Sequence, residues 1–439
     1  MTIAFLSLFF GLISGPYPLE LAVNGPAAAV EIVVDGRPAG RLPGPPWKGT
    51  INFGKPLLPH GIVVRALDAD GHELARAEEW VNLPHPLSKA EIVLEGGGSA
   101  PPKGAKVVWT NLKGWKPQTV SLAFDGVPVS LDADGHAALP AHDTSAVHIL
   151  TAEVQFPAGE TIHRDLAYGG EFGSEVSTEL TGIPVRALAG EVPAAARLDG
   201  WLTAQGKPLS VVAVENGPGE LYVVRAPSAA ETHEKMGRTG KLQRDIRYEL
   251  RLGKEDGFRF VVPTPKRVAG SGERSDLFDI SPEMAGAGGL PWGLATFGAP
   301  LRGQRLMASQ PAAQVLRIAD AVAVAGQQAM AQNRRRAVLL VLSGDEKDDS
   351  EYDPATVRRY LATLRVPLFV WTLGASGATA AAWGPSENIS VVSNLYQAAE
   401  EIQRQLDSQR IVMVDGRHLP QSIALSPAAA GLELVAGKP

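Results

Sequence analysis

Six consecutive apolar residues, Ala337-Val338-Leu339-Leu340-Val341-Leu342, constrain the fold of this chain more than any other feature. Side chains on a strand alternate between its faces, so a strand that is apolar at every position needs cover on both. A parallel sheet with helices on either side provides that cover, and the flanking sequence fits one. The Ala-rich residues 312–330 and residues 354–364 have helical spacing, residues 367–373 read as the next strand, and a helix over 395–408 closes the series. Upstream, Leu221-Tyr222-Val223-Val224 and residues 258–262 read as further short strands, with helical spacing over 242–250 between them. In such a sheet the functional edge lies at the carboxyl ends of the strands.

Before Ala187 the pattern is different. Short alternating runs are separated by Gly and Pro, and the 47 Gly and 34 Pro of the chain favour many strands joined by turns over a helical bundle. Val30-Glu31-Ile32-Val33-Val34 runs into Asp35-Gly36, a hairpin-turn signal. The order recurs in Val120-Ser121-Leu122-Ala123-Phe124 followed by Asp125-Gly126, where Asp125 lies 90 positions after Asp35. Two copies of one small antiparallel sandwich follow, at 16–96 and 105–187. The stretch 97–104, Gly-, Pro- and Ser-rich without apolar periodicity, reads as a linker between them. A third Asp-Gly signal, Asp415-Gly416, falls in an added hairpin and tail at 411–439.

At 439 residues the chain suits several domains. A net charge of −6 supplies no basic field for a phosphate backbone, so nucleic acid is not an expected partner. With no cysteine there is no disulfide, thiolate zinc site or cysteine nucleophile. Residues 3–13 form an apolar run shorter than the roughly 20 residues a membrane helix needs. With Ser14 and Gly15 after it, it reads as a signal peptide over 1–15, although no Lys or Arg precedes it. A buried first strand and an uncleaved interfacial segment are the alternatives. Export to the periplasm, cell surface or medium is the corresponding expectation, with membrane contact only through that segment if it is left uncleaved.

The segment from Arg336 through Ser343-Gly344-Asp345-Glu346-Lys347-Asp348-Asp349-Ser350, then a helix, then Val366-Pro367-Leu368-Phe369-Val370-Trp371-Thr372-Leu373-Gly374, resembles the fourth strand, helix and fifth strand of a von Willebrand factor A domain. The likeness covers about 211–409, and the whole chain resembles the exported A-domain-related proteins abundant in acidobacteria. It implies a doubly wound α/β domain, here at 188–410, that binds protein or matrix through a divalent metal above the sheet. The architecture expected is therefore multidomain: two immunoglobulin-like β-sandwich modules followed by an α/β doubly wound von Willebrand factor A-like domain. The family's metal motif, Asp-x-Ser-x-Ser, aligns with Arg225, Pro227 and Ala229, which offer a cation and two side chains without oxygen. One ligand, Asp345, could survive, and one carboxylate is not a site. No metal and no cofactor are expected.

Other chemistry is weaker still. Leu-Asp-Ala-Asp-Gly-His occurs at 67–72 and 131–136, but its glycine is misplaced for a calcium loop and its flanks have strand spacing. Asp353 before Pro354 reads as a helix cap. Gly374-Ala375-Ser376-Gly377 lacks the spacing of a nucleophile elbow, and His148 and His163 fall in strands where structural roles are the rule. The expectation is a non-catalytic protein-binding or scaffolding protein of the cell envelope with an unidentified protein partner, no small-molecule substrate, and Asp345, Asp348, Asp349 and Ser350 as binding candidates. A structural subunit of a larger assembly and a cryptic hydrolase are the alternatives.

Overall fold

The computed structural model describes residues 1–7, 9, 11–84, 88–95, 102–111, 115–143, 145, 148–156, 161–168, 180–226, 256–265, 278, 280, 281, 284, 285, 315–331, 333–343, 346–374 and 377–435. Contacts group the chain into one unit of residues 1–84, 182–414 and 418–439 and another of 85–181 and 415–417.

The first unit opens with a sandwich of seven strands: β1 (Thr2–Phe5), β2 (Pro16–Asn24), β3 (Ala29–Val34), β4 (Arg37–Leu42), β5 (Lys48–Asn52), β6 (His60–Leu67) and β7 (Glu73–Val81). They form the sheets β1-β2-β5 and β4-β3-β6-β7, antiparallel throughout. Along β6 every second residue is buried, which turns Ile62, Val64 and Ala66 into a core shared with Leu19, Leu21, Val30 and Ile51. Asp35 and Gly36 both take positive φ, 52° and 76°. That is the twisted two-residue turn that Asp-Gly sequences favour.

This sandwich corrects the expectation for the N-terminus. Residues 3–13 are not set apart from the fold, because β1 pairs with β2 and Ile3, Phe9 and Ile13 are buried in the core. Cleavage after residue 15 would strip these side chains from the core, a loss each comparable to a large-to-small core substitution.

The second unit repeats the arrangement with β8 (Ser88–Glu95), β9 (Gly104–Asn111), β10 (Thr119–Phe124), β11 (Val127–Val129), β12 (His136–Ala138), β13 (His148–Gln155) and β14 (Thr161–Tyr168). Its sheets, β12-β9-β8 and β11-β10-β13-β14, match those of the first sandwich strand for strand. The boundary therefore falls one strand earlier than 97–104, since Ser88 to Glu95 pair with Asn111 to Gly104. Residues 97–101 of the expected linker lie outside the described residues. The reason is the repeat itself: each module begins with a strand upstream of the Asp-Gly hairpin that betrays it.

A third, smaller sandwich begins with β15 (Leu180–Ala187), β16 (Leu202–Ala204), β17 (Lys207–Pro208) and β18 (Val211–Glu215). The α/β domain follows: β19 (Gly219–Arg225), β20 (Gly257–Val261), β21 (Met284–Ala285), α1 (Ile318–Met330), β22 (Arg335–Leu342), α2 (Pro354–Thr363), β23 (Leu368–Thr372), α3 (Ala378–Ala382), β24 (Glu387–Asn388) and α4 (Val392–Asp407). The chain then returns to the third sandwich with β25 (Arg410–Asp415), β26 (Ile423–Leu425) and β27 (Leu432–Leu434). Its sheets are β18-β25-β15-β27 and β17-β16-β26. Residues 411–435 are thus no added hairpin, and 180–187 leave the second module. A lone hairpin is marginal in water; here Val412, Val414, Ile423 and Leu432 share a core with Ile183, Val185 and Leu202 from the other side of the α/β domain.

The α/β sheet has the order β21-β20-β19-β22-β23-β24, parallel except for the edge strand β21. β22 lies at its centre, and all of its positions are buried. Helix α1 sits close on α2 because position 326 is glycine: a Cβ there would lie 2.7 Å from Leu361 Cδ1. Asp353 caps α2 by accepting from Thr356 N at 2.9 Å, with Pro354 at the first helical position. Residues 242–250, where helical spacing was read, lie outside the described residues.

The first sandwich is fastened to the α/β domain through Asn82, at φ 59°. Its Oδ1 accepts from Ile13 N and its Nδ2 donates to the Ile13 and Leu58 carbonyls, each at 2.7 Å. Its own carbonyl accepts from Tyr360 Oη at 2.6 Å, and Gln327 Nε2 donates to Leu83 O at 3.0 Å.

Candidate functional site

Chain order runs outward from β19 to β20 and β21, then returns to the other side of β19 for β22, β23 and β24. The carboxyl ends of β19 and β22 are therefore the switch point, the place at which open α/β sheets bind ligands. β19 ends there in Arg225, paired in register with Val341, and Ala226 N donates to Val341 O at 3.2 Å. The Arg225 side chain is buried, with its guanidinium carbon 5.5 Å from the centroid of Phe260 on the neighbouring strand. Burial pulls its pKa down to about 10, which leaves it a cation at neutral pH.

After β22, Ser343 donates from both its backbone N and its Oγ to Glu346 Oε1, the hydroxyl at 2.8 Å. Thr379 Oγ1 donates to Glu346 O at 2.7 Å. The acidic run then crosses to the N-terminus of α1, whose first amides have no partner within the helix. Ile318 N and Ala319 N donate to Asp348 Oδ1 and Oδ2 at 3.0 and 3.1 Å. Asp320 N donates to Ser350 Oγ at 3.1 Å, and Ser350 in turn donates from N and Oγ to Asp348 Oδ1. The return contact is made by Asp320, whose carboxylate accepts from Glu351 N and Tyr352 N at 3.2 to 3.3 Å. The helix end and the loop thus cap each other across about 30 residues of sequence. Burial raises the Asp320 pKa; the Glu351 and Tyr352 amides offset part of that rise, and the charge of Asp348 adds to it.

Of the residues singled out in the sequence, Asp348 and Ser350 meet in this cap, and Asp349 points its side chain to solvent beside exposed Lys347 and Glu351. Pro227, Ala229, Gly344 and Asp345 lie outside the described residues, as do Ala375 and Ser376. Asp348 and Ser350 are thus helix caps; a carboxylate that accepts from three backbone amides is organised for donors and not for a cation. Arg225, a buried cation, offers no ligand oxygen at the end of β19. Asp320 was missed by the sequence reading, although an acidic residue in the first turn of an expected helix is a signal for it.

The repeated hexapeptide forms turns, as its spacing indicated. Asp68 Oδ1 accepts from Asp70 N and His72 N, and Asp132 Oδ1 from Asp134 N and His136 N. In the first copy Asp68, Asp70 and His72 offer ligand atoms within 4.8 Å of one another; in the second, His136 pairs with Glu95 at 2.7 Å.

No protein-family model and no curated protein matches the chain. Among solved structures it is similar to fibronectin(III)-like modules of Clostridium thermocellum CbhA, at 13% identity over 38% of this chain and 93% of that one, with a TM-score of 0.15. It is also similar to proximal thread matrix protein 1 from the mussel byssus, solved with a zinc-occupied MIDAS motif, at 13% identity, 46% and 48% coverage and a TM-score of 0.27. A third, SGBP-B of Bacteroides ovatus, solved with a mixed-linkage heptasaccharide, gives 14% identity, 48% and 58% coverage and a TM-score of 0.13. At scores of this size the fold rests on strand order and pairing alone.

Proposed function

We propose that the chain is a non-catalytic protein-binding or scaffolding protein whose α/β domain is a von Willebrand factor A-like domain working without a divalent metal. The strand order, the antiparallel edge strand β21 and the switch point between β19 and β22 support the family reading. The observation that carries the metal-free reading is Arg225, a buried cation at that switch point. A guanidinium supplies no ligand oxygen for a divalent cation, and the surface offered to a partner is the exposed loop around Asp349 and Glu351 rather than a shared metal ion.

Two measurements on the full chain test this. Calorimetric titration with Mg²⁺ and with Mn²⁺ should show no micromolar binding; micromolar affinity overturns the metal-free reading. Proteins retained from an envelope extract should stay bound through EDTA washes and be lost from an Asp349→Lys, Glu351→Lys double variant. Retention that EDTA abolishes, or that the charge reversal leaves unchanged, overturns the assignment of this loop.

A further inference from the structure

The two matching sandwiches differ at one histidine. In each, the aspartate of the Asp-Gly turn sits at positive φ, 52° at Asp35 and 48° at Asp125. In each, its carboxylate meets the histidine that opens the sixth strand of the module, His60 Nδ1 to Asp35 Oδ2 and His148 Nδ1 to Asp125 Oδ2, both at 2.7 Å. The other ring nitrogens diverge. His60 Nε2 is buried with no hydrogen-bond partner, whereas His148 Nε2 lies 2.9 Å from the Asp143 carbonyl oxygen.

Carboxylates and carbonyls only accept, so a ring nitrogen facing one must carry hydrogen. His148 faces an acceptor at both nitrogens and is satisfied only as the imidazolium; neutral, it would set a lone pair against an oxygen. In its neighbour His142, Nδ1 lies 2.7 Å from the Pro140 carbonyl oxygen and Nε2 lies 3.0 Å from Tyr168 Oη, a hydroxyl that both donates and accepts, so only one of its ring nitrogens faces an obligate acceptor. The two rings stand 4.9 Å apart, edge to face, and Phe124 stacks on His148 at 5.1 Å. Among the described residues, Asp125, Asp143, His142 and Tyr168 are the ionisable groups facing His148 from the turn, the loop and β14.

We propose that a proton on His148 clasps residues 141–143 to the second sandwich, and that the clasp opens when that proton is lost. The Asp125 carboxylate is the stronger acceptor and keeps the hydrogen on Nδ1, so loss of one proton from the ring removes the Nε2 hydrogen bond and sets a lone pair against the Asp143 carbonyl oxygen. The His148 pKa is raised, first by its bond to Asp125, against a smaller opposing effect of burial. A raised pKa means that the clasp is fully present below about pH 6.5, the ordinary histidine value, and is lost as pH climbs through the higher folded value. Tyr168, pushed up to about 12 by burial, remains a phenol donor across this range. The first sandwich has no second acceptor and so no clasp.

The test is ring-nitrogen NMR on the full chain labelled with ¹⁵N-histidine, with the His148 signals assigned by their loss in His148→Gln. Both ring nitrogens of His148 should be protonated at the ordinary histidine pKa and titrate above it. Amide exchange of residues 141–148, corrected for its intrinsic pH dependence, should speed up several-fold at the same midpoint. Asp125→Asn should lower the midpoint, while His60→Gln should leave it in place. A His148 ring with one proton at that pH, or exchange that ignores its midpoint, overturns the clasp, and both are read on the unsubstituted chain.

Discussion

The two ends of the parallel sheet use their polar groups in different ways. At the amino end Arg335 gathers three separate parts of the chain through four bonds: it donates to Gly217 O at 2.6 Å, Leu406 O at 3.0 Å, Asp407 Oδ1 at 3.2 Å and Asp256 Oδ1 at 2.7 Å. Beside it Gln409 pairs with the Arg336 backbone in both directions, and the Arg336 guanidinium, pulled down to about 9 by burial, donates to Leu364 O at the end of α2. At the carboxyl end the polar groups are helix caps, Asp348 and Ser350 for α1 and Asp353 for α2. A buried guanidinium knot ties segments distant in sequence through a charge that is costly to leave unpaired, whereas a cap satisfies amides that water could also reach. The difference leads us to expect that the end joined to the third sandwich is the costlier of the two to disrupt.

The sharpest way to break this comparison is at the knot. Arg335→Ala removes the guanidinium from Asp256, whose side chain is only 1% exposed. Removing one partner of a buried pair costs about 3 to 5 kcal/mol. Calorimetry of the full chain should show the transition of the α/β domain shifted strongly downward. A loss no greater than that of a cap would mean that the amino end is not the lock.

The matching substitution at the other end is Asp348→Ala. It leaves the Ile318 and Ala319 amides to water, at the cost of one cap, about 0.5 to 2 kcal/mol. Urea unfolding measured on both variants sets the ratio directly. Equal costs would show that the loop after β22 is as much a part of the core as the knot.

Much of this was legible in the sequence, for definite reasons. The continuous run 337–342 specified the central strand because burial on both faces leaves no other pattern, and the Asp-Gly pairs specified the two hairpins because few other dipeptides accept positive φ twice. Asp353 before Pro354 was readable because a cap lies within three residues of the amide it serves. Asp348 was not, because it caps a helix about 30 residues upstream, and no local pattern records that. The N-terminal run misled for a related reason: an apolar leader and an apolar first strand have the same composition, and only pairing with β2 tells them apart. The third sandwich escaped notice because its halves lie on opposite sides of the α/β domain in the sequence.

The smallest expected effect comes from Asp320→Asn, and here its sign carries the information. The carboxylate is raised mainly by burial and then by Asp348, so the folded chain holds its proton more tightly than the unfolded chain does. The folded state therefore gains stability as pH falls from the raised value towards the ordinary 3.8, and above the raised value it carries a constant penalty. Asparagine keeps an oxygen for the Glu351 and Tyr352 amides and carries no charge, which removes the penalty. It also gives up a negative charge in the first turn of α1, which contributes about 0.3 to 1 kcal/mol in the opposite direction. The net change at neutral pH should therefore stay within about 1 kcal/mol of zero. The pH dependence separates the two contributions: wild type should gain on the variant as pH drops from about 7 towards about 4. In an Asp348→Ala background that gain should shrink, because one cause of the raised value has gone. A difference that stays flat with pH, or that grows in the variant's favour on acidification, would show that Asp320 is ionised without penalty and that the reciprocal cap does not confine it.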